Sequence, residues 1–130
     1  MTHILLKDLK IYQKALIISN KSWEIYQKFD WRIKKTIGDQ FITAIDSIGA
    51  NIAEGYGRFH YLDRIKFYYN SRGSLLESLH WLGLLINRDL ITRNDHNSIT
   101  ALLEDLNLSL NAFIKSNYQS KDSKHIDNGN

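Results

Sequence analysis

Asn51 and Glu54 stand three residues apart in the run SIGANIAEGYGRF (residues 47–59), with Gly55, Gly57 and Arg58 directly after them. An amide and a carboxylate one helical turn apart can share a proton or hold a water. A Gly-x-Gly pair beside an arginine can cradle a phosphate. Phosphates, however, bind where free N–H groups point outward at a helix start, and these glycines follow a helical pattern. The Gly-Lys-Ser/Thr ending of a Walker loop is missing. An architectural account is sufficient: Gly55 is placed for the positive φ that ends a helix, and Arg58 faces the negative end of the helix dipole. The third segment carries a matching set, Arg72, Gly73, Ser74 and Glu77.

A second constellation is basic. Lys7, Lys14, Lys21 and Lys28 recur every seven residues, with Lys10 nearby. On a helix they form a line with steps of about 10 Å. A solvated face is one reading of such a line. The other is a track for nucleic-acid phosphates, which gives backbone contacts and reads no bases. Arg64, Lys66 and Arg72, with Tyr56, Tyr61, Tyr68 and Tyr69, add cations and stacking surfaces elsewhere.

Catalysis finds little support. His3, His60, His80, His96 and His125 are dispersed, and none pairs with another at metal-ligand spacing. The chain has no cysteine, which excludes disulfides and thiolate metal sites. No nucleophile stands in a recognisable motif. The expectation is a non-enzymatic protein with no cofactor and no metal.

Four segments must position these residues. The first runs from about Asp8 to Phe29, with Leu9, Tyr12, Leu16, Trp23 and Tyr26 as its inner face. The second runs from about Trp31 to Glu54, with Ile33, Ile37, Phe41, Ala44, Ile45, Ile48 and Ile52 at helical spacing. In the third, about Tyr61 to Asn87, the inner stripe is Tyr68, Leu75, Leu79, Leu82 and Ile86. The fourth, about Asp95 to Asn117, has the cleanest pattern, Ile99, Leu102, Leu103, Leu106, Leu110, Phe113 and Ile114, with Thr92 or Asn94 as its cap.

Proline is absent, so nothing interrupts long helices. Short links between helices of similar length favour antiparallel neighbours. The fold expected is all-α: an antiparallel up-down-up-down four-helix bundle over residues 1–118. The last residues, QSKDSKHIDNGN, hold one aliphatic side chain, and residues 119–130 are expected to form a disordered tail. The composition is that of a globular domain, 43% hydrophobic and 24% charged, with a net charge of +3. No signal-peptide order and no apolar run of membrane-spanning length is present, so a cytoplasmic location is expected.

The first helix has a second apolar stripe. Ile11, Ile18 and Ile25 recur every seven residues, off the Leu9–Tyr12–Leu16–Trp23 face. The resulting arc is broader than one bundle needs, which points to a subunit contact made by these three isoleucines in a homo-oligomer.

SIGANIAEGYGR, followed by FYYNSRGSLLESLHWL, resembles the signature of the four helix bundle protein family named for intervening sequences of bacterial 23S ribosomal RNA genes. LKIYQKALIISNKSWEIYQKF resembles the family's first helix, and the likeness covers roughly residues 6 to 115. One departure is FDWRIKK, where relatives often carry a proline. The resemblance implies a ring-shaped homopentamer and kinship with accessory proteins of diversity-generating retroelements, which bind RNA and a reverse transcriptase. Asn51, Glu54, Gly55, Gly57, Arg58, Gly73, Ser74 and Glu77 match the family pattern and bring packing roles, not catalytic ones. The functional expectation is a homo-oligomer that binds RNA or DNA through Lys7, Lys10, Lys14, Lys21 and Lys28. The alternative is a protein-interaction scaffold with no nucleic-acid role.

Overall fold

The computed structural model describes the backbone of residues 4–129 and the side chains of residues 4–119. A 3-10 turn, Leu6–Asp8, leads into α1, Lys10–Lys28. A short α2, Trp31–Ile33, continues through a π-helical turn, Lys34–Gly38, into α3, Asp39–Tyr56. Then come α4, Tyr61–Asn87, and α5, Arg93–Gly129. The α2–α3 rod counts as one helix of the bundle. Each helix packs on two others: α1 on α3 and α5, and α4 on α3 and α5. The expected all-α four-helix bundle is the fold observed, with no strand among the described residues.

Local chemistry sets the corners. Asp30 is extended, and its Oδ1 accepts from the backbone N–H groups of Arg32 and Ile33, each at 3.0 Å. This carboxylate cap starts the second rod. The π turn follows at once, and the Thr36 hydroxyl donates to the Arg32 carbonyl at 2.9 Å. At the end of α4, Asp89 takes φ 56°, while the Leu90 N–H reaches the Leu85 carbonyl and the Asp89 N–H that of Ile86. That is a Schellman closure with aspartate in the left-handed position that glycine usually fills. The Thr92 hydroxyl then caps α5 by accepting from the Asp95 N–H at 3.1 Å.

The core draws on all four rods. Phe41, Ile45, Ile48 and Ile52 of α3 meet Tyr68, Leu75, Leu82 and Leu85 of α4 and Ile99, Leu103, Leu106 and Leu110 of α5. Tyr68 and Phe113 meet edge-to-face, with ring centroids 5.0 Å apart.

Two expectations are corrected. Helix α1 is turned toward its isoleucine stripe, although Leu9 of the expected inner face is buried and Tyr12 and Tyr26 pack half-buried on the core. Ile11, Ile18 and Ile25, expected at a subunit contact, lie in the chain's own core together with Ala15 and Ser22. Leu16 and Trp23, expected inside, are 43% and 47% exposed. The reason is steric: Ala15 and Ser22 interrupt the isoleucine stripe with small side chains, so the backbone of α1 can come close to its neighbours. The methyl of Ala15 sits 3.5 Å from where a Cβ on Gly49 would stand. A stripe carrying Leu16 and Trp23 would hold α3 further off. The second correction concerns the glycines. Neither Gly55 nor Gly57 has positive φ; Gly57 is at −79°, and Gly55 lies within α3.

The fourth helix runs to Gly129, beyond the Asn117 that periodicity indicates. The side chains of residues 120–130, on which nearly all of the expected tail falls, lie outside the described residues.

The orientation of α1 has a direct mutational consequence. Ile18→Ala, at a site 1% exposed, should cost about 2–5 kcal/mol in chemical denaturation. Leu16→Ala should change the fold's stability by only about 0.5 kcal/mol.

Candidate functional site

The glycine stretch is a joint between α3 and α4. Helix α3 ends at Tyr56, the Gly57 N–H bonds the Ala53 carbonyl at 3.1 Å, and α4 begins at Tyr61. Gly55 is buried against α4. A Cβ there would stand 2.8 Å from Tyr68 Cε1 and 3.0 Å from Phe67 Cβ. Close approach of two helices, not backbone conformation, is what this glycine provides. One turn further in, the buried Ser71 hydroxyl donates to the Ile48 carbonyl at 2.8 Å and ties the same two helices together.

The remaining motif residues hold this joint or lie along it. Asn51 is half-buried and donates to the Ser47 carbonyl at 2.9 Å. Arg58 pairs with Glu54, one turn back on an exposed edge, and its guanidinium lies 4.8 Å from the Phe67 ring centre. Such an exposed pair contributes little to stability. The Arg58 carbonyl accepts from Arg64 Nε at 2.7 Å, which fixes the turn to the first turn of α4. Glu77 accepts from the Trp81 indole at 3.2 Å, and the Ser74 carbonyl accepts from the buried Ser78 hydroxyl at 2.8 Å. Gly73 is different: a Cβ there would meet nothing within 4 Å. The chain's own packing does not require that glycine.

The lysine line runs along the α1–α5 seam. Lys7 and Lys10 are exposed. Lys14 is engaged within the chain, donating to Ser109 Oγ at 2.7 Å and pairing with Asp105 at 2.8 Å. Lys21 and Lys28 rim a small polar cleft shared with Glu24, Asp95 and Ser98. The line therefore exists in space, but α5 sets acidic groups beside part of it.

The α1–α2 corner brings together residues that sequence spacing alone does not combine. Trp23 stacks on Tyr26 with centroids 5.2 Å apart, Lys34 Nζ lies 5.1 Å from the Tyr26 ring centre, and the Tyr26 hydroxyl donates to Asp39 at 2.5 Å. Arg32 and Lys35 lie 5.6 and 5.4 Å from the ring centre of Trp31. The signal was in FDWRIKK, where aromatic and basic residues interleave next to a helix cap. The hydrogen bond to Asp39 raises the Tyr26 phenol above its ordinary value, with burial and the same carboxylate's charge adding to it. Burial raises Tyr68 likewise, against the opposing charge of Arg64.

Exposed apolar residues are spread over the surface, from Ile17 on α1 to Phe59 and Leu62 at the α3–α4 turn, and include two groups on opposite sides. Leu16 and Trp23 lie on the side of α1 that Tyr26 joins to α3 through Asp39. Tyr69, Leu76 and Leu108 lie outside the α4–α5 pair, whose seam is bridged by Arg72 and Asn111. Among the described residues no three His, Asp or Glu side chains group as a metal site. No described helix is long and apolar enough to cross a membrane.

Residues 7–112 match the model of a family described as 23S rRNA-intervening sequence protein. Among solved structures, the chain is similar to a Bacteroides thetaiotaomicron protein of unknown function from the S23 ribosomal protein family. The two share 25% identity and a TM-score of 0.73, over 81% of this chain and 98% of that one. Comparison with curated proteins gives no match.

The Gly55 joint predicts a specific sensitivity. Gly55→Ala should destabilise by about 1–3 kcal/mol, because the Tyr68 ring must move, as a denaturant titration would show. Gly57→Ala should cost less than Gly55→Ala, since its Cβ would meet nothing nearer than 3.6 Å.

Proposed function

The chain belongs to the family of 23S rRNA-intervening sequence proteins, and from that premise we propose that it is a non-enzymatic, homo-oligomeric four-helix bundle that binds RNA or DNA through phosphate contacts. The bacterial cytoplasm is the compartment that goes with this reading. The observation that supports its homo-oligomeric part is apolar surface on two opposite sides of the bundle, beside other exposed apolar residues such as Phe59 and Leu62. Helices α1 and α3 form one side and α4 and α5 the other, because each helix makes its main contacts with its two ring neighbours. Leu16 and Trp23 mark the first side, Tyr69 and Leu76 the second.

Two different faces that mate give a head-to-tail contact, and such a contact closes into a ring when the rotation per subunit allows. Five copies is the number that the family resemblance favours. Gly73 supports the same side of α4 as a place of close approach, since nothing within its own chain calls for a glycine there. A mid-helix glycine without such a purpose costs about 0.5–1 kcal/mol relative to alanine.

A ring repeats the lysine edge in every subunit, so a weak phosphate site gains avidity. Lys7, Lys10, Lys21 and Lys28 are the cations available for it, and Lys14 is held by Asp105. The second reading, a protein-interaction scaffold without nucleic acid, draws on that neutralisation and on the small net charge of +3.

Two measurements test the proposal. Light scattering should find an oligomer, and Leu16→Glu with Trp23→Glu should dissociate it with helical content retained; a monomer at roughly tens of micromolar would end the assembly reading. In a gel-shift titration against salt, binding should fall with ionic strength. Lys10, Lys21 and Lys28 changed to Gln should lower the log–log slope by about 0.7 to 0.9 for each phosphate no longer neutralised. No binding at low salt would leave the scaffold reading.

A further inference from the structure

We propose that the α1–α2 corner is a stacking site for an unpaired base of single-stranded nucleic acid, with Trp31 as the platform and Arg32 and Lys35 as its phosphate contacts. The proposal rests on the nucleic-acid reading above for the class of partner, but places it on a different surface and names the strand state.

The corner is built to hold an aromatic ring out in water. Asp30 fixes the start of α2 through two backbone hydrogen bonds, and Trp31 is the first residue after that cap. Trp31 is 63% exposed, although Phe29 and Ile37 on either side in sequence are buried. Within the chain the ring is met by the cations Arg32 and Lys35, and a base that stacks on it would displace them toward its phosphate. The π turn that follows sends consecutive lysines to different rings: Lys34 to Tyr26 and Lys35 to Trp31.

Charge then selects the partner. Among the described residues, the ion pairs are Lys14–Asp105 and Arg58–Glu54, so Arg32, Lys34 and Lys35 are in none. The two acidic groups close in sequence, Asp30 and Asp39, accept hydrogen bonds from the α2 backbone and the Tyr26 hydroxyl and form no ion pair with these cations. A protein surface docking here would have to desolvate three unpaired cations, and lysine is depleted in such interfaces. A nucleotide supplies both complements at once, a flat base for the indole and a phosphate for the cations around it. Duplexes keep their bases stacked within, so the platform favours single strands.

The test is anisotropy of labelled oligouridine and of a duplex RNA of equal length, at low salt, with the full chain and with Trp31→Ala, Trp31→Phe and the Arg32→Gln/Lys35→Gln pair. The expected result is that oligouridine binds better than duplex. Trp31→Ala should weaken oligouridine binding by about ten- to a hundredfold, Trp31→Phe should retain most of it, and duplex binding should be unchanged by either. Circular dichroism and light scattering of the same variants should match the parent. Equal oligouridine binding by Trp31→Ala and parent overturns the stacking site but leaves the phosphate-edge reading standing. Loss of assembly in Trp31→Ala overturns it in favour of a contact with a second copy. No binding of either RNA by the parent overturns both readings.

Discussion

The rest of the molecule follows from which face of α1 is buried. Ile11, Ala15, Ile18, Ser22 and Ile25 form a stripe at steps of three and four residues, and it is this stripe that enters the core. Its small members let α1 settle against α3 and α5, with Ala15 against the Gly49 position. Once that face is inside, everything else about α1 is determined. The lysines fall along the α5 seam, where Lys14 meets Asp105. Leu16, Trp23 and Tyr26 fall on the side toward α3, where Tyr26 reaches Asp39. The exposure of Leu16 and Trp23 is thus a by-product of which face of α1 the core takes.

The second pair of helices is governed by the same rule of close approach. Gly55 leaves room for the Tyr68 ring, and Ser71 bonds across to the Ile48 carbonyl. The motif around residues 47–59 therefore reads as a helix-packing joint, with Glu54, Arg58 and Arg64 fastening its turn. The α1–α2 corner gathers cations on aromatic faces, with none of those cations in an ion pair among the described residues.

Much of the fold was legible because periodicity is strong. The bounds of α4 and the inner residues of α3 and α5 follow directly from three- and four-residue spacing, and Thr92 was readable as a cap. The face of α1 was not legible by size alone. Both of its stripes are apolar, and the larger side chains, Leu16 and Trp23, drew the assignment. The telling signal was smallness: Ala15 and Ser22 lie among the isoleucines, as an interhelical seam requires. The glycine joint was legible in position but not in mechanism, because a helix-ending glycine and a helix-packing glycine look alike in sequence. The left-handed residue is Asp89, a position marked only by its place between two helices. The corner cluster depends on Lys34, Lys35 and Tyr26 meeting across a turn, which no single-helix pattern displays.

Since the chain has no cysteine, single introduced thiols report accessibility without background. The most direct measurement is the rate of thiol modification at Ile18→Cys and Leu16→Cys as a function of protein concentration. The thiol at position 18 should be protected at every concentration. The thiol at position 16 should react quickly when the protein is dilute and become protected as subunits associate. A thiol at position 18 that reacts freely while the one at position 16 stays protected at all dilutions would contradict the orientation of α1, and with it the assignment of every surface described above.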